Sequence, residues 1–69
     1  MIFKPGTLVK LAAGYDNHVG FIFKTGLNFW FDKSHIGLMI EEYQNDNSFV
    51  HVLVEDQVIV MPTRALQKY

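Results

Sequence analysis

The chain reads as an all-β domain, a small barrel of five strands. Three observations predict this. Apolar and polar residues alternate over short runs such as Thr7-Leu8-Val9-Lys10-Leu11 and Phe49 to Val54. Clusters of Gly, Pro, Asn and Asp punctuate those runs. No segment longer than one or two turns repeats its apolar residues with a helical period of about 3.6.

The elements follow in order. Lys4-Pro5-Gly6 is a turn signal that launches a strand over residues 7–11. Residues 12–18, with Gly14, Asp16 and Asn17, predict a loop. Val19 to Phe23 and Asn28 to Phe31 are rich in aromatic and β-branched residues and flank Lys24-Thr25-Gly26-Leu27, which predicts a β-hairpin. Asp32-Lys33-Ser34 is a polar break, and Ile36 to Tyr43 is the next strand. Gln44 to Ser48 predicts a turn. In the strand from Phe49 to Val54, Val50, Val52 and Val54 share one face, and Phe49, His51 and Leu53 the other. Glu55-Asp56-Gln57 turns the chain into Val58 to Met61, which Pro62 ends because it lacks a ladder donor. Thr63 to Leu66 suits one helical or 3₁₀ turn with Thr63 as N-cap, and Gln67 to Tyr69 a short closing strand.

Sixty-nine residues allow one domain, spanning 1–69. A chain this short buries only about 60% of its extended surface, so its stability is modest. With no cysteine, disulfides, thiolate zinc sites and thiol catalysis are excluded. Net charge is −1, and the lysines at 4, 10, 24, 33 and 68 form no basic stripe, which counts against non-specific nucleic-acid binding. No run approaches the roughly 18 to 20 apolar residues of a membrane helix. The first residues lack the pattern of a signal peptide, so the expectation is a cytoplasmic protein with no membrane partner.

The order of strand, long loop, three meandering strands, short helical turn and final strand resembles an SH3-like barrel. The resemblance rests on Lys4-Pro5-Gly6-Thr7-Leu8-Val9, Gly37-Leu38-Met39-Ile40-Glu41, Val52-Leu53-Val54, and Val58 to Leu66 with its Pro62. This framework is similar to that of small SH3-like proteins frequent in tailed-phage genomes and, more loosely, to KOW-type and translation-associated barrels. It covers roughly residues 4–11 and 35–69. It implies an accessory protein acting inside an infected cell, or a small virion component. The chain departs from the short members at residues 12–34, where the first loop is enlarged into the hairpin. The aromatic ligand motif of signalling SH3 domains is not matched, so polyproline recognition does not carry over.

That insert holds six of the ten aromatic residues, Tyr15, Phe21, Phe23, Phe29, Trp30 and Phe31, more than a minimal barrel needs to close its core. These six are the candidate partner-binding residues. In a two-stranded ribbon Phe21 and Phe23 share one face, Phe29 and Phe31 share one face, and Trp30 lies opposite the latter pair. Capping the open end of the barrel is the competing role for the phenylalanines. Trp30 is the stronger docking candidate, because a ribbon cannot hide both faces against one small barrel.

His18, His35 and His51 have no metal-ligand spacing, and Asp32 with His35 makes only two potential ligands, so no metal or other cofactor is expected. His51 suits a partly covered structural role on its strand. Asp32-Lys33-Ser34-His35 puts four reactive residue types in a row, but neighbours along a chain rarely converge on one substrate atom. No catalytic residues are assigned. The expectation is a non-enzymatic module that docks a protein partner or another copy of itself. Nucleic-acid binding, with rings stacking on bases beside Lys10, Lys24 and Lys33, is the alternative.

Overall fold

A computed structural model describes residues 3–44 and 46–69, with the side chain of residue 46 left aside. The fold is all-β, a curled antiparallel sheet that forms a half-barrel. Its strands are β1 (Leu8–Leu11), β2 (Asn17–Ile22), β3 (Asn28–Asp32), β4 (Gly37–Tyr43), β5 (Asp46–Val54), β6 (Gln57–Pro62) and β7 (Leu66–Lys68), with a 3₁₀ turn at Thr63–Ala65. They lie in the order β3-β2-β6-β5-β4-β1-β7. Seven strands replace the expected five, because the two strands of the hairpin join the same sheet through β2–β6 pairing.

Alternation decides which side of the sheet each residue takes. Ile22, Ile59, Val52 and Met39 form one register row across β2, β6, β5 and β4, all directed inward. Together with Val9, Leu11, Phe31, Val50, Val54, Met61, Ala65 and Leu66 they build the core. The hairpin is tied to the barrel through β2–β6 pairing, Phe21 opposite Val60 and Ile22 opposite Ile59. At Gly20 a Cβ would lie 2.5 Å from Met61 Sδ and 2.6 Å from the Val60 carbonyl oxygen, so only glycine lets β2 approach β6 there.

Three local expectations change. The Gln44–Ser48 turn is shorter than its composition suggested, since β5 already begins at Asp46; Asn45 lies outside the described residues. Thr63 does not cap the 3₁₀ turn. Pro62 occupies the N-cap, and the Thr63 hydroxyl instead donates to the Asn47 carbonyl at 2.6 Å, tying the turn to β5. The turn into β6 is a two-residue one, Glu55-Asp56, with φ of 50° and 64°; both values are positive, as in the type I′ turns that match strand twist.

Candidate functional site

The structure divides the six aromatic residues of the insert between two roles. Phe31 is fully buried, and Tyr15 and Phe29 are half-buried against the core, so these three serve chiefly to fill the barrel. The ribbon explains the division. Val19 pairs with Trp30 and Phe21 with Asn28 on the outer face, while Phe29 and Phe31 project inward from the alternate positions of β3. Of the six, Trp30 is 59% exposed and Phe23 57% exposed, and Phe21 is half-buried on the same outer face.

These outward rings continue onto the barrel. Phe23 extends the ladder past β2, its N–H donating to the Val58 carbonyl at 2.8 Å. Val58 pairs with Leu53, Leu53 with Leu38, and Leu38 with Leu8, and the Tyr69 N–H donates to the Leu8 carbonyl. One register row across six strands therefore reads Phe23, Val58, Leu53, Leu38, Leu8, Tyr69. At the usual strand spacing of about 4.8 Å it runs some 24 Å around the convex surface. Five of its members rank among the large exposed hydrophobic residues, Val58 being half-buried.

The adjacent row carries the aromatic cluster. The His51 ring lies 5.0 Å from Phe23 and 5.3 Å from Tyr43, and Phe21 meets Tyr43 edge-on at 6.2 Å. Beneath them Val60, though directed outward, is 1% exposed. Phe23, Ile40, Glu41, His51 and Val58 line a groove of about 250 Å³. Among the described residues no hydrogen-bond partner reaches the buried His51 Nδ1. Sequence reasoning placed Phe49, His51 and Leu53 on one strand face. It missed that Leu8, Leu38 and Val58 join them, since that requires the pairing of distant strands.

The other histidines act locally. His18 sits beside Tyr15, with ring centroids 5.7 Å apart and Nδ1 2.7 Å from the Val19 carbonyl oxygen. His35 packs against Phe29 and Phe31. Its Nδ1 accepts the Asp32 N–H at 3.0 Å, which leaves Nε2 as the donor to Glu55 Oε2 at 3.2 Å. His35 thus joins the end of β3 to the β5–β6 turn. The Asp32 carboxylate accepts hydrogen bonds from the Ser34 hydroxyl and N–H; these, with a smaller contribution from His35 and some opposition from desolvation, hold its pKa below the ordinary 3.8. Asp32, Ser34 and His35 are close in space, and their hydrogen bonds are absorbed by the corner itself.

A second concavity, of about 350 Å³, lies where the loop after β1 meets β7, lined in part by Lys10, Tyr15, Lys33 and Gln67. Its lysines are engaged: Lys33 pairs with Asp16 at 3.0 Å, and Lys10 Nζ lies 5.7 Å from the Tyr69 ring centroid. Among the described residues no helix is long and apolar enough to cross a membrane. No protein-family model, curated protein or solved structure matches the chain.

Proposed function

We propose that this chain is a non-enzymatic protein-interaction module, an SH3-like barrel of the tailed-phage type, whose docking surface is the outer face of the hairpin and the sheet it continues. The observation that carries this reading is the continuity of Phe23 with the Val58–Leu53–Leu38–Leu8 row, with Phe21 in the adjacent row and Trp30 exposed on the same face of the hairpin. Contiguous apolar surface with exposed aromatic rings has the composition of an interface centre. The groove beside His51 gives it relief into which an apolar side chain fits.

The partner in this reading is a protein surface presenting apolar side chains. Peptides selected from a random display library against the purified chain, then titrated while backbone amide signals are followed, test it. Shifts should concentrate at Phe21, Phe23, Trp30 and His51, and Phe23→Ser should weaken binding at least about tenfold, as for an interface hot spot. Shifts confined to the concavity near Tyr15 and Lys33 would overturn the assignment. Nucleic-acid binding is the second reading, supported by Lys24 next to the exposed Phe23 ring. It requires oligonucleotide affinity that falls steeply with salt.

A further inference from the structure

β3 is one of the two edges of the sheet, and its backbone presents a short, defined window. The Ile22 N–H donates to the Leu27 carbonyl at 2.7 Å, which sets the parity of the hairpin. Ladder bonds in an antiparallel pair alternate, so Phe29 and Phe31 bond to β2, while Asn28, Trp30 and Asp32 turn their N–H and C=O groups to the open side. Asp32 is already taken on that side. Its N–H goes to His35 Nδ1 at 3.0 Å, and its carbonyl accepts the His35 N–H at 3.1 Å. The open edge is therefore the backbone of Asn28 and Trp30, stopped at one end by His35.

The window lacks the usual protection. Asn28 to Phe31 holds no lysine, proline or bulge, whereas the opposite edge, β7, is three residues long and carries Lys68. Two of the most exposed apolar side chains flank it, Leu27 at 65% and Trp30 at 59%.

We propose that β3 pairs with β3 of a second copy of this chain, antiparallel about a two-fold axis at Phe29. This rests on the reading of the chain as an interaction module and names one partner for it. The register follows from the free groups. With Phe29 opposite the partner's Phe29, Asn28 faces the partner's Trp30 and Trp30 the partner's Asn28, and both pairs are of the hydrogen-bonded kind. Four backbone bonds then satisfy every open group in both windows. A one-residue shift that places the axis on Trp30 would set Asn28 against Asp32, whose groups are occupied. The chosen register also sets exposed Leu27 opposite the partner's Phe31, joins the two half-buried Phe29 rings, and opposes no like charges within the window.

Sedimentation of the intact chain over a concentration series, with amide exchange followed in parallel, tests this. The expected result is a concentration-dependent dimer in which the Asn28 and Trp30 amides exchange at least tenfold more slowly than at dilution, while those of Phe29 and Phe31 change little. Asn28→Pro removes an outward donor without touching the β2 ladder, and should return the chain to monomer. The chain has no cysteine, so Phe29→Cys should cross-link two copies on oxidation, the paired Cα atoms being about 4.5 Å apart. Leu27→Cys should not, its symmetry mate lying more than about 13 Å away. A dimer whose Trp30 and Asn28 amides stay unprotected would overturn the pairing. So would a chain that stays monomeric at every concentration; if that monomer still bound selected peptides through Phe23, the docking reading would stand and only the edge pairing would fall.

Discussion

At the scale of single residues, β3 holds two aromatic neighbours with opposite duties. Phe31 has no exposed surface and Trp30 has most of its own. Truncating Phe31 to Ala should cost about 3–5 kcal/mol, a large part of the roughly 3–10 kcal/mol expected of a domain this size. Trp30→Ala should stay within about 1 kcal/mol of the parent. Urea unfolding of both variants checks the pair, and a Trp30→Ala chain that unfolds outright would move that ring into the core. Asp32 offers a pH-dependent counterpart. Its folded pKa lies below the ordinary 3.8, first because of the Ser34 hydroxyl and N–H. The carboxylate therefore contributes stability that is complete above that ordinary value and is lost as pH falls through the lowered one. Ser34→Ala removes the largest cause and should flatten the acid limb of a stability–pH curve below about pH 4 by lowering the neutral plateau, leaving stability in acid, where the carboxyl is protonated, nearly unchanged.

At the scale of elements, the tightest constraint is the β5–β6 turn, where Glu55 and Asp56 both hold positive φ. Side chains other than Asn, Asp and Gly are strained there. Replacing the pair with Asn-Gly should raise stability by about 0.5–1 kcal/mol, or roughly 4–8 °C in melting temperature per kcal/mol for a chain this small. A scanning melt shows it. The Glu55 contact to His35 is lost in that variant, so a gain smaller than expected would measure that bond. The strands themselves were legible because their alternation is local: Val50, Val52 and Val54 went inward as the spacing required. The start of β5 was not. Asp46-Asn47-Ser48 has turn composition, yet Asp46 pairs with Tyr43, and Asn47 is held by the Thr63 hydroxyl sixteen residues away. Thr63 itself, a cap by its place in sequence, was redirected by the same tertiary bond. The hairpin and the alternation of its rings could be read from the chain, but not which face meets the core: Phe31, counted among the docking residues, is fully buried, and Tyr15 and Phe29 pack against the core. Nor could the outer row, because Leu8, Leu38 and Leu53 look like isolated apolar residues until register aligns them.

At the scale of the whole molecule, strand order predicts how the fold opens. β5 is flanked on both sides by long ladders, while β3 and β7 each have a neighbour on one side only. Amide exchange at dilution should show strongest protection at Val50 and Val52 and weakest in β7 and the outward groups of β3, with a span of several kcal/mol. Uniform protection across all seven strands would contradict it. Between those outer strands the segment after β1 reaches both sides. Ala12 and Ala13 donate to the Ala65 carbonyl and to Gln67 Oε1, and Asp16 meets Lys33 just past β3. The molecule is thus a cuff with a sturdy band and a light clasp. One link of that clasp is a solvent-washed ion pair, contributing less than about 1 kcal/mol and weakened by electrolyte. Rising ionic strength should therefore let the cuff gape at this join while the band keeps its shape.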